Sequence, residues 1–122
     1  MSIEEKIPGI KIFEVDGDKC IAVGSRILTQ ADVNEISKIN NVSKILFYSI
    51  RFNVESLECL EDTLVEQISV KHGNFSNQEF LQVCNIPTIR FVDAYDTLVT
   101  DDCVEKIKSD SPCFSINVRS VE

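Results

Sequence analysis

The feature that most constrains this chain is an apolar run, Ile45-Leu46-Phe47-Tyr48-Ser49-Ile50, bounded on both sides by polar residues. Its length suits a strand better than a buried helix, and the lack of a polar side predicts a central strand covered on both faces, as in a parallel or mixed sheet. The segments around it alternate in type. Ile10–Val15, the Asp16-Gly17 turn and residues 20–23 read as a hairpin. Thr29-Gln30-Ala31-Asp32 resembles a capping box and opens a short helix carrying Val33, Ile36 and Ile39. Leu57, Leu60 and Leu64 mark one face of a second helix reaching toward Ile68, with Glu55, Glu58, Glu61, Asp62 and Glu66 on its solvated side. Residues 65–70 then turn into a strand.

Further along, Ser76-Asn77-Gln78-Glu79 is a second capping box, with Phe75 and Phe80 at the two positions of a hydrophobic staple. That helix must end before Pro87, because the residue preceding proline avoids helical angles. Residues 88–92 read as a strand, 93–96 as a turn and 97–100 as the antiparallel return strand. Asp101-Asp102 opens a last helix carrying Val104 and Ile107, and Phe114, Ile116 and Val118 alternate as a final strand. The order β-β-α-β-α-β-α-β-β-α-β predicts an α/β protein with a mixed sheet and helices on both faces. No internal repeat or linker stands out, so residues 1–122 read as one domain.

Charge and cysteine content narrow the function. Twelve basic against 20 acidic side chains leave a net charge of −8, which argues against nucleic acid and against anionic membranes. A basic partner protein would be drawn in by the same field. No apolar run approaches the roughly 18 residues of a membrane span, and the polar, acidic start lacks the pattern of a leader, so a cytoplasmic protein is expected. Cysteines at 20, 59, 84, 103 and 113 form no C-x-x-C, and His72 is the single histidine, so no metal or other cofactor is expected. Asp93, Asp96, Asp101 and Asp102 have turn and cap spacing, not that of a calcium loop.

From residue 27 to 107 the element order resembles the thioredoxin-like fold. The sharpest local match is Ile86-Pro87-Thr88 at the opening of the 88–92 strand. It is similar to the loop in which that family carries a cis proline ahead of an antiparallel hairpin. The resemblance implies a mixed-sheet core over about 27–108, with an extra N-terminal hairpin over 10–26 and an added C-terminal strand. It also implies where a redox pair would lie, and that junction reads Arg51-Phe52-Asn53-Val54-Glu55, without cysteine. Disulfide exchange needs a thiolate held at a helix N-terminus. Asn53 is instead suited to cap a helix, and Glu55 to place a carboxylate in its positive first turn. The expectation is therefore a redox-inactive module and not an enzyme. It would bind another protein through Phe52, Asn53 and Glu55 together with Ile86, Pro87 and Thr88, the proline loop pairing with an extended peptide. The alternatives are a monothiol redox enzyme using Cys84 or Cys59, and a structural subunit of a homo- or hetero-oligomer.

Overall fold

The computed structural model describes residues 7–110 and 115–119. Strand β1 (Ile10–Val15) turns at Asp16 and Gly17, both at positive φ, into β2 (Asp18–Thr29), as the Asp-Gly pair predicts. Then come α1 (Gln30–Ser37), β3 (Val42–Asn53), a short 3-10 helix (Glu58–Thr63), β4 (Gln67–Lys71), α2 (Asn77–Cys84), β5 (Phe91–Tyr95), α3 (Asp101–Asp110) and β6 (Ser115–Arg119). The six strands form one mixed sheet in the order β1-β2-β3-β4-β5-β6. Only the β1–β2 pair is antiparallel, and every later neighbour is parallel.

A sheet whose strands follow chain order advances by one strand at every crossover. Right-handed crossovers then place all connections on the same face. The burial pattern agrees: Ile21, Val23, Ile45, Phe47, Ile68, Val70, Val92 and Ala94 face the helical side at 0–1% exposure, while Phe13, Tyr48 and Phe91 on the other face are 44–48% exposed. The expected second helical layer is absent among the described residues. The apolar run that predicted it contains Leu46 and Tyr48, which lie on the open face, Tyr48 exposed.

The structure also reveals a repeat. Along the chain Ile21, Ile45, Ile68, Val92 and Ile116 are equivalent positions, spaced by 24, 23, 24 and 24 residues. The same spacing links Leu28, Phe52, Phe75 and Val99, then Val33, Leu57, Phe80 and Val104, then Ile36, Leu60, Val83 and Ile107, all members of one core or packed against it. The backbone repeats as well: Ser25, Ser49, His72 and Asp96 all turn left-handed, with φ of 53°, 52°, 58° and 55°. Each unit is a strand followed by a helical turn, and it buries its apolar stripe only by stacking on its neighbours, which is solenoid logic. Close stacking shows at Gly73, where a Cβ would run into the carbonyl oxygen of Ile50 in the preceding unit.

Three local expectations are corrected. The helix proposed over Leu57, Leu60, Leu64 and Ile68 is only the 3-10 segment Glu58–Thr63: β3 runs on to Asn53, Leu64 turns left-handed and Ile68 belongs to β4. Leu64 ends that segment at φ 61°, 65% exposed, while Leu57 and Leu60 stay buried. The antiparallel return over 97–100 does not form. Instead the free edge of β5 is taken by β6, Asp96 turns the chain, and the Leu98 amide bonds to the Phe75 carbonyl of the preceding unit. Lastly, the described peptide bonds are all trans, Pro87 included. Pro87 lies in a turn closed by Ile89 N–H to Ile86 O at 3.1 Å, and β5 starts only at Phe91. The C-terminal strand carries Ile116 and Val118 as the alternation predicts, parallel to β5, and Phe114 lies outside the described residues. The 26/27 boundary drawn for the hairpin extension falls inside the continuous strand β2.

Candidate functional site

The sheet alternates its side chains, so the register fixes which residues share the open face. One row runs Phe13, Cys20, Lys44, Gln67, Phe91 and Ser115, from β1 to β6. A second runs Ala22, Leu46, Ser69, Asp93 and Asn117. A third, at the carboxyl ends of the strands, runs Gly24, Tyr48, Lys71, Tyr95 and Arg119.

The third row is tied together by ring contacts. His72, turned left-handed just after β4, stands edge-on between Tyr48 (centroids 5.7 Å apart) and Tyr95 (5.5 Å). Its Nδ1 lies 2.8 Å from Asp96 Oδ2, and the His72 amide donates to the Tyr95 carbonyl. The Arg119 guanidinium sits 5.5 Å from the Tyr95 ring centre and 3.8 Å from Asp93 Oδ1, a buried atom without a hydrogen-bond partner. Two tyrosines, a histidine and two cations thus share one amphipathic strip. It has the residue types that carry energy at protein interfaces. Sequence reasoning missed it because these residues are about 24 positions apart, and only the sheet register aligns them.

The expected site residues are not brought together. Phe52 is 8% exposed, its ring packed between Phe47 and Phe75, so it belongs to the core. Asn53 is the last residue of β3, paired with Thr29, and caps no helix. Glu55 is exposed, and its amide donates to Gln30 Oε1 at 2.9 Å. Ile86 is 2% exposed, Pro87 is exposed, and Thr88 keeps a buried hydroxyl without a hydrogen-bond partner. Asn53 ends β3 nine residues past Lys44, whereas Pro87 precedes Phe91, which is level with Lys44 across the sheet. The two halves therefore lie toward opposite ends of the parallel strands, Asn53 at the carboxyl end of β3 and Pro87 before the amino end of β5.

The thiols are also poorly placed for chemistry. Cys84 is fully buried on α2 among Phe80 and Val83. Cys59 is half-buried, 3.5 Å from Asn34 Oδ1, and burial pushes its pKa up. Burial raises Cys103 as well, with Lys106 opposing the shift. Cys113 lies outside the described residues. Among the described residues no cluster of three or more His, Cys, Asp or Glu is arranged to hold a metal ion, and no helix is long and apolar enough to cross a membrane. Comparison with family models, curated proteins and solved structures finds no match to the chain.

Proposed function

We propose that this chain is a short α/β solenoid that binds another protein on the open face of its sheet. The observation that carries the reading is the row Tyr48, Lys71, Tyr95 and Arg119, braced by His72 and covered by no helix among the described residues. Solenoids of stacked strand-helix units present such faces as extended binding surfaces. The spacing Val42-x-x-Ile45-x-Phe47-x-x-Ile50-x-Phe52, repeated from Val65 and from Ile89, is similar to that of leucine-rich repeats. It departs from them where Ile50, Gly73 and Thr97 stand at the usual Asn or Cys position. The thioredoxin-like reading loses the antiparallel hairpin and the cis proline on which it rested, and protein binding is proposed on the open face instead. A cytoplasmic setting and a basic partner remain part of the proposal, in keeping with the charge of −8.

Capture from extract by three immobilised forms tests the surface: the natural chain, Tyr48→Ala/Tyr95→Ala, and the helix-side control Glu58→Ala/Glu61→Ala. Binding should survive the helix-side change and fall about tenfold or more with the tyrosine pair, as loss of an aromatic anchor does. Partners that depend on the helix-side residues and ignore the tyrosines would place the working surface elsewhere.

A further inference from the structure

The open face is not uniform. Toward the entering ends of the strands it deepens into a trough of about 270 Å³. Phe13 and Phe91 form its two walls, 44% and 48% exposed. They stand four strands apart on one register row whose intervening members, Cys20, Lys44 and Gln67, form the floor. Asp16, Asp18 and Glu66 also line the trough, and Lys44 is the only cation among its lining residues.

That volume lies just under the roughly 300 Å³ at which pockets for whole small molecules begin. It suits one or two bulky side chains presented by a polypeptide. The two half-exposed phenylalanines offer an occupant apolar contact at either end of the trough, with the polar and charged groups lying between and around them. Three carboxylates against one ammonium among the lining residues fix the sign of the charge an occupant should bring.

We infer that this trough receives a basic segment of the partner protein. The segment lays bulky apolar side chains into the trough against Phe13 and Phe91, which four strand spacings hold about 19 Å apart, and sets neighbouring lysines or arginines against Asp16, Asp18 and Glu66. The inference rests on the reading of the open face as a partner surface, and it names the chemistry of what binds there. Rim charges of this kind set the on-rate and the salt dependence of binding, while the apolar anchor sets the off-rate.

The test uses short synthetic peptides with two phenylalanines or leucines spaced along the segment and flanked by lysine and arginine, and matched peptides flanked by glutamate, titrated against the full chain. The basic peptides should bind and the acidic ones should not. Affinity should fall about tenfold with Phe91→Ser, fall again with Asp16→Asn/Asp18→Asn/Glu66→Gln, and weaken as salt is raised. Phe91 is half-exposed, and asparagine tolerates the left-handed turn at position 16, so both variants should melt close to the natural chain. Failure of every peptide to bind, equal binding by acidic peptides, or binding unchanged in Phe91→Ser would each overturn the inference. If the inference fails while partner capture remains sensitive to Tyr48→Ala/Tyr95→Ala, the open-face reading stands without it. If capture ignores those tyrosines too, both fall.

Discussion

Cys59 shows how far a single side chain can be read in advance. Its place one position from the Leu57 and Leu60 face reads as a buried, inert thiol, whereas the structure leaves it half-buried against Asn34. Removing a thiol from water penalises its charged form, so the Cys59 pKa rises above its ordinary value, opposed by a hydrogen bond with Ser37. The thiolate is the species that reacts, and near neutral pH almost none is present. Iodoacetamide should therefore modify Cys59 more slowly at pH 7.4 than it modifies an unstructured thiol, with the rate still climbing past pH 9. Cys84, with no exposed surface, should remain unlabelled until the protein unfolds. The sign for stability follows from the same shift. Above pH 9 an unfolded chain loses this proton while the native one keeps it, so the contribution is complete below that pH. It is lost as pH rises through the native pKa. Mass mapping after timed alkylation checks both residues, and prompt labelling of Cys84 in the native protein would revive the monothiol reading. What the sequence could not disclose at this scale was the company of His72: Tyr48, Tyr95 and Asp96 reach it only through strand register.

At the scale of elements, capping was legible because it is local. In α1 the Asp32 amide bonds to Thr29 Oγ1, while Asp32 Oδ2 accepts from the Thr29 amide and from Arg26. In α2 the Glu79 carboxylate accepts from both the amide and the hydroxyl of Ser76. The staple residues Phe75 and Phe80 are fully buried. A second set of bonds joins successive units and left no local signal. Gln30 accepts from the amides of Glu55 and Ser56, Gln82 from Leu57, and Asn77 from Thr100. Asn74 both accepts from the Phe52 amide and donates to its carbonyl. These side chains satisfy backbone groups that a tightly turned connection leaves without helical partners. Gln82→Leu should therefore cost about 1–3 kcal/mol by stranding the Leu57 amide, and Ser76→Ala about 1 kcal/mol. The exposed Gln78→Ala should be nearly neutral, which makes it the control. Urea unfolding of the three variants measures this, and a Gln82 variant as stable as the Gln78 one would mean that water serves the Leu57 amide equally well.

For the molecule as a whole, element types could be read from periodicity, but their arrangement could not. Alternating strands and helices are compatible with several strand orders, and the 24-residue spacing is spread over Ile, Val, Leu, Phe and Ala, which differ in identity and share only burial. Lost regularity at 65–70, where strand and helix patterns overlap, hid the unit boundary further. The stacked arrangement has an energetic consequence, since each unit gains stability chiefly from the units on either side. Ile68 lies on β4 with parallel strands on both sides and no exposed surface, whereas Ile116 lies on β6, which has β5 alone beside it among the described residues. Ile68→Ala should cost about 2–5 kcal/mol, within the range for a fully buried methyl-bearing side chain. Ile116→Ala should cost clearly less, because its site is already partly open to water. Native-state hydrogen exchange would then follow the same gradient. Amides of β3 and β4 should exchange only through global opening, and those of β6 first, through local opening at the end of the stack. Ile116→Ala should speed exchange in β6 while leaving β3 at its original rate, since it weakens the end unit without touching the centre. Uniform acceleration across all strands would show that the units open as one block, and the one-dimensional description of this fold would have to be abandoned.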